Sequence, residues 1–237
     1  MRVVSLVPSV TETLLAWGVR PIGVTRFCEQ PGIPTVGGTK NPDVAAIVAL
    51  APDLVVVNEE ENRREDADAL EAAGVPLHVT RVRSVADVQP FLTALARALF
   101  AQPEHFVPPA GHEVFRPRAV RPDGAAPRVF VPIWRRPWMT LSADTYGSSV
   151  LDAVGLVNVF ADDPDRYPTV TLDDAAALRP DLVLAPSEPY PFRHRHLDEL
   201  RAVADDVRLV DGKDLFWWGV RTAGALERLA QSLATRS

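Results

Sequence analysis

Four of the five tryptophans stand in two short segments, Trp134-Arg135-Arg136-Pro137-Trp138 and Phe216-Trp217-Trp218-Gly219. Turns usually favour Gly, Pro, Asn and Asp, so indoles gathered there need a reason. Large rings at the mouth of a cleft suit a flat, partly apolar ligand. The competing explanation is a small satellite core, and the sequence leaves both open. A third segment, Ser187-Glu188-Pro189-Tyr190-Pro191-Phe192, has the same character. The ring candidates for ligand contact are Phe27, Trp134, Trp138, Tyr146, Tyr190, Phe192, Trp217 and Trp218. Ser9, Lys40, Asn58, Glu59, Glu60, Glu188 and Arg221 are the polar ones.

None of these residues makes a catalytic constellation. Ser9 and Glu12 have the spacing of a capping box, although a helix N-terminus can also donate to an anionic ligand group. The acidic run after Asn58 reads either as a solvated first helical turn or as ligand contact. His194 and His196, two apart in a loop beside Arg193 and Arg195, make a weak metal pair. Cys28 stands alone without the surroundings of a nucleophile. Phosphate-binding G-x-x-x-x-G-K-[ST], dinucleotide-binding G-x-G-x-x-G and the nucleophile elbow G-x-S-x-G are all missing. The expectation is a protein that is not an enzyme and requires no cofactor.

Behind these residues the chain repeats itself. Ala49-Leu50-Ala51-Pro52-Asp53-Leu54-Val55 returns as Ala177-Leu178-Arg179-Pro180-Asp181-Leu182-Val183, and Leu15-Ala16-Trp17-Gly18-Val19 is echoed by Asp152-Ala153-Val154-Gly155-Leu156. Order is kept in both pairs, which points to two similar lobes and a ligand cleft between them. Strands and helices alternate with short turns, the pattern of a parallel sheet covered by helices. Strands are expected at 3–7, 22–25, 54–57, 77–79, 128–131, 182–185 and 207–210. Helices are expected at 9–17, 42–50, 63–73, 84–100, 148–154, 172–178, 197–204 and from 222 onward. The helix at 84–100, capped by Ser84, would be about 25 Å long, enough to cross from lobe to lobe. Residues 102–127 read as a proline-stiffened connection. The domains are therefore 1–83, 84–127 for the bridging helix and connection, and 128–237. Open α/β sheets bind ligands beyond the carboxyl ends of their strands, where the candidate segments fall.

Composition limits the partners. The 237 residues carry a formal charge of −6 with 24% charged and 47% apolar residues, and without a basic cluster nucleic acid is excluded as a partner. No apolar run is long enough to span a membrane, and the first residues already read as strand and turn rather than as a secretion signal.

Val3-Val4-Ser5-Leu6-Val7-Pro8-Ser9-Val10-Thr11-Glu12, Gly23-Val24-Thr25-Arg26-Phe27-Cys28 and Val36-Gly37-Gly38-Thr39-Lys40-Asn41-Pro42 resemble the opening of the helical-backbone metal receptor group. These are the class III substrate-binding proteins of vitamin B12 and ferric-siderophore ABC importers. Asn58-Glu59-Glu60-Glu61-Asn62-Arg63, Tyr167-Pro168, Pro186 through Phe192, Asp211-Gly212 and Trp218-Gly219-Val220-Arg221 extend the resemblance over nearly the whole chain. It implies two Rossmann-like lobes joined by a long bridging helix. A cobalamin-like or chelated-iron ligand, of siderophore or haem type, would lie in a shallow, rather rigid interlobe cleft.

The resemblance also implies an ABC permease partner, which transport members engage through a glutamate on each lobe. Here the first position is Ala45 and the second Asp173. As written the sequence is expected to be cytoplasmic, or periplasmic or cell-surface if the true start lies upstream. Two alternatives stand beside this reading. One is a cytoplasmic transferase or hydrolase using the cleft; the other is a protein that has lost transport and acts through partners.

Overall fold

The repeated phrase builds the same device twice. In each copy a six-residue helix, α2 (Val44–Ala49) and α6 (Leu172–Ala177), ends three residues before a proline. The intervening Ala51 and Arg179 take left-handed φ values of 44° and 51°. Proline cannot continue a helix, so the chain leaves into a five-residue strand buried at every position, β3 (Leu54–Asn58) and β9 (Leu182–Pro186). An arginine at the start of the neighbouring strand clasps the turn. The Arg2 backbone N–H donates to Asp53 (2.6 Å) and its guanidinium to the Leu50 carbonyl (2.6 Å). Arg128 repeats both bonds, to Asp181 (2.7 Å) and the Leu178 carbonyl (3.0 Å).

The protein is seen in a computed structural model that describes residues 1–106 and 125–234. Among these, the chain forms two compact units, each discontinuous in sequence. The first takes residues 1–82, 86–106 and Trp218–Val220; the second takes Arg83–Val85, residues 125–217 and the chain from Arg221.

In the first unit β1 (Val3–Ser5), α1 (Pro8–Ala16), β2 (Gly23–Val24), α2, β3, α3 (Arg64–Ala72), β4 (Leu77–Thr80) and α4 (Val88–Leu99) follow one another. The strands make an all-parallel sheet in the order β2-β1-β3-β4. Val4, Leu6, Ile47, Val55, Val57 and Leu70 form its core.

The second unit runs β5 (Arg128–Phe130), β6 (Trp138–Met139), α5 (Tyr146–Ala153), β7 (Val157–Asn158), β8 (Thr169–Val170), α6, β9, α7 (Leu197–Leu200), β10 (Asp206–Val210), α8 (Gly212–Phe216) and α9 (Thr222–Ala234). Its parallel sheet, β7-β5-β9-β10, has the connectivity of the first, and β6 and β8 add a small antiparallel ribbon. Continuous apolar strands buried on both faces are what helix-covered parallel sheets require. The duplication read from the sequence is present, and the fold is α/β with parallel sheets.

Several local expectations differ. Ser9 does not cap α1: Pro8, pre-set for the first helical position, starts the helix one residue earlier, leaving Val7 as N-cap with no side-chain bond. The caps lie elsewhere, at Asp43, Thr145, Asp211 and a capping box of Thr171 with Asp174. The helix expected at 84–100 is a 3₁₀ turn (Val85–Asp87) followed by the 12-residue α4, about 18 Å long. Pro90 is tolerated only in a first turn, which fixes where α4 begins, and Ser84 is not its cap. Helix α7 is only four residues long. Of the proline-rich connection, residues 107–124 lie outside the described residues.

Candidate functional site

In the first unit the polar candidates are consumed by the turn after β3. Asn58 is buried; its Oδ1 accepts from the N–H groups of Glu60 (2.9 Å) and Glu61 (3.1 Å), and its Nδ2 donates to the Thr80 carbonyl and hydroxyl (3.2 Å each). Asn62, which the sequence reading passed over, answers it. Its Oδ1 accepts from Asn58 N–H (2.7 Å), and its Nδ2 donates to the carbonyls of Leu6 (3.3 Å) and Thr39 (2.9 Å). The pair therefore fastens the carboxyl ends of β1, β3 and β4. Lys40 Nζ donates to the Glu60 carbonyl, and Glu59 pairs with Arg81 at 3.1 Å. These side chains hold the loop, which corrects the expectation for Asn58 as an open ligand contact.

The same turn borders a groove of about 290 Å³ walled by α3 and β4, whose Arg63 and Arg64 are paired with Asp66 and Asp68. Ser9 is different. It is buried in the first turn of α1, and among the described residues its Oγ has no hydrogen-bond partner. Phe27 is 49% exposed beneath the Arg26 guanidinium, 4.9 Å from its centroid. Cys28 is buried with Thr11 and Thr25 on its sulfur, and burial pushes its thiol pKa up; a thiol held protonated is a poor nucleophile.

Trp218 departs furthest from the expected ring platform. It is 4% exposed and set edge-on to Phe91, with centroids 4.6 Å apart, as part of the first unit's core. Gly219 after it has φ +121°, and a Cβ there would collide with the Thr13 hydroxyl. Only glycine lets this segment lie on α1, where Val220 N–H donates to Thr13 Oγ1 (3.4 Å).

In the second unit the loops after β5 and β9 bring the rings together. Trp134 stands edge-on to Tyr190 (5.7 Å), Tyr190 packs on Phe192 (4.8 Å), and Trp138 stacks on Phe192 (6.0 Å, 7° between planes). Exposure is graded across the cluster. Phe192 is 3% exposed and belongs to the core, whereas Trp138 and Tyr190 are half-buried and Trp134 is 44% exposed. Phe192 is thus the foundation of a shelf and not its surface. Arg136, at the apex of the Trp134–Trp138 turn, is held at φ +67°, a conformation that costs a non-glycine residue energy.

Arg135 lies over Trp138 (6.0 Å) and pairs with Glu199 of α7 (2.8 Å). His196 is buried against Tyr190 and Phe192, while His194 is exposed, so the two do not form a metal pair. Burial, then Arg195 and Arg135, hold the His196 pKa below its usual value. Among the described residues no three His, Cys, Asp or Glu side chains gather to hold a metal ion.

A second part of this unit surrounds Trp217, half-buried between Lys213 Nζ (4.6 Å) and the Arg221 guanidinium (5.6 Å). Arg221 lies 3.7 Å from buried Asp214, which Arg228 grips with two bonds of 2.6 and 2.8 Å. Tyr146 is buried, with its hydroxyl 3.0 Å from Thr222 Oγ1, and desolvation pushes its pKa up to about 12; it is a core residue rather than a contact. Glu188 is half-buried where α8 approaches so closely that a Cβ on Gly212 would sit 2.6 Å from its backbone. Helix α8 was missing from the sequence reading, though Asp211-Gly212 at a strand end, with the Asp211 carboxylate accepting from Lys213 N–H (2.9 Å), was its signal.

No protein-family model matches the chain. The vitamin B12-binding protein of Salmonella choleraesuis (strain SC-B67) is 28% identical over 190 residues, covering 77% of this chain and 71% of that protein. Among solved structures, the periplasmic vitamin B12 binding protein BtuF of Vibrio cholerae superposes with a TM-score of 0.78 at 19% identity, covering 98% of this chain and 96% of its own. The periplasmic heme-binding protein RhuT from Roseiflexus sp. RS-1, in apo form, gives 0.78 at 22% identity, covering 98% and 97%. At these identities the structural matches establish a shared fold.

Proposed function

We infer that this chain, which belongs to the class III ABC-importer substrate-binding family, binds a cobalamin-like or chelated-iron small molecule without transforming it. The observation that carries this reading is the graded ring shelf at the carboxyl ends of β5 and β9, with Trp134 outermost. A flat macrocycle gains most from rigid rings that lose little entropy on contact. Trp134, Trp138, Tyr190 and Trp217 would supply ring surface in the second unit, with Glu188 and Arg221 as polar contacts. Ser9 and Phe27 remain the candidates of the first unit. Any metal would arrive inside the ligand.

The relatives are binding proteins, and no observation favours a transferase, a hydrolase or a partner-binding role. Among the described residues no helix is long and apolar enough to cross a membrane. The solved neighbours described as periplasmic favour work outside the cytoplasmic membrane over the cytoplasmic alternative. A permease would meet exposed Asp173 at the second residue of α6, but only Ala45 at the equivalent place on α2. Docking, if it uses this pair of helices, would rest on a single carboxylate.

The test is a titration of intrinsic tryptophan fluorescence with cyanocobalamin, hemin and ferrichrome. Saturable quenching by at least one is expected. Folded protein that responds to none of the three would overturn the reading.

A further inference from the structure

One buried side chain behind the ring shelf faces more donors than it can serve. His196 is 6% exposed, at the end of the 3₁₀ turn His194–His196. Its backbone N–H donates to the Arg193 carbonyl (2.8 Å), and its Nδ1 accepts in return from Arg193 N–H (3.0 Å). That exchange closes the turn directly after Phe192. On the other side of the ring Arg195 Nε lies 3.2 Å from Nε2. A neutral imidazole has one lone pair to offer these two donors, and an imidazolium has none. The exposed Arg195 side chain can turn to water, whereas the Arg193 N–H finds another acceptor only if the turn moves. The imidazole also packs against Tyr190 (5.6 Å) and Phe192 (5.8 Å), and Phe192 is the base on which Trp138 stacks. Among the described residues the charged groups facing it are Arg195 and Arg193 of its own turn, Arg135 of the loop after β5 and Glu199 of α7, the single carboxylate. Glu199 is already paired with Arg135. A proton added to His196 would thus break the Arg193 bond and set a fourth cation among three guanidiniums.

We propose that His196 is the positioning residue of the ring shelf, and that it holds Tyr190 and Phe192 in place only as the neutral imidazole. The lone pair on Nδ1 ties the turn at 193–196, and that turn sets the rings packed against it. The role deepens the ligand-binding reading and rests on it for its purpose; failure of that reading would show in the three-ligand titration and not in the spectra below. Burial and the surrounding arginines keep the folded-state pKa of His196 under the ordinary value of about 6.5. With the folded value depressed, the unfolded chain takes up the proton first. The contribution of His196 is therefore complete well above about pH 6.5 and is lost as pH falls towards the lower folded-state value. Acid should loosen the shelf.

The test is fluorine NMR of the full chain labelled with fluorotryptophan, followed from about pH 8 to about pH 4 in the parent, His196→Asn and His196→Leu. The Trp138 and Trp134 resonances are assigned by their loss in Trp138→Phe and Trp134→Phe; the first reports on Phe192 and the second on Tyr190. Asparagine offers an acceptor oxygen in place of Nδ1 and cannot take up a proton, whereas leucine keeps bulk and removes the acceptor. In the parent both resonances should shift together, by more than a line width, through one reversible transition centred below about pH 6.5. The asparagine variant should hold the alkaline positions across the range, and the leucine variant should show the acid positions already at the alkaline end. A transition that persists in the asparagine variant would overturn the assignment to His196. A parent without a transition would overturn the requirement for the neutral ring. A leucine variant with the alkaline spectrum of the parent would overturn the role of the Nδ1 acceptor. Melting curves show whether the leucine variant folds; if it does not, the parent and the asparagine variant decide the matter between them.

Discussion

The two units share a frame and differ at its ends. In the first, two residues lead from β1 into α1, and the turn after β3 is closed by Asn58 and Asn62 bonding to backbone on three strands. In the second, the path from β5 to α5 detours through the Trp134–Trp138 turn and the ribbon strand β6, and the loop after β9 carries Tyr190 and Phe192. The end of β3 spends its polar groups on its own loop, whereas the ends of β5 and β9 keep rings and guanidiniums at the surface. Equal topology does not give equal roles, because function belongs to the side chains grafted on the frame.

The contrast breaks first at its tryptophans. Trp218→Ala should cost roughly 3 to 5 kcal/mol of stability, the range for a buried large ring cut to alanine, measured by denaturant unfolding. A loss below about 1 kcal/mol would mean that Trp218 is not core.

Next comes alkaline pH. The Tyr146 pKa is raised to about 12 in the folded protein from its ordinary 10.0, so the folded state holds the proton more tightly. Its contribution is complete below pH 10 and should disappear as pH rises towards 12, by about 2 to 3 kcal/mol. Tyr146→Phe should flatten that part of the stability curve relative to the parent; parallel curves would refute it.

Trp134→Ala should leave stability nearly unchanged and weaken ligand binding by on the order of 2 kcal/mol. A large fall in melting temperature would place Trp134 with Trp218 and dissolve the contrast.

The smallest effect tests what the units share. Asp53→Ala and Asp181→Ala each remove a carboxylate from one clasp and should each cost about 1 kcal/mol. Unequal costs would show that the two clasps, alike in geometry, carry different loads.

Much of the frame was legible because its signals are local. Left-handed residues before Pro52 and Pro180, buried runs such as Val55-Val56-Val57, and helices ending at Gly18 and Gly155 (φ 75° and 74°) depend on near neighbours. The candidate ring cluster was legible in part. The clustering of tryptophans found the shelf but could not rank its members, since exposure depends on what the fold brings alongside. Trp134 and Trp218 look alike as letters, and only the arrival of Phe91 beside Trp218 separates them. Asn58 reads as a polar strand end until Thr80 and Asn62 surround it. The two-residue strands β6 and β8 left no periodicity to detect.

Trp218-Gly219-Val220 sets a limit on how the gene can be recombined. The first unit obtains part of its core from three residues that follow every sheet strand of the second unit in the sequence. Residues 1–106 expressed alone would carry a notch beside Phe91 that nothing of their own fills. A chimera that takes its second half from a relative imports the relative's version of this plug. Its success depends on whether the incoming ring fits Phe91 and whether the residue after it is small enough to lie against Thr13. Duplicated halves are often imagined as exchangeable modules, but here each exchange edits the interior of the half that was meant to stay fixed.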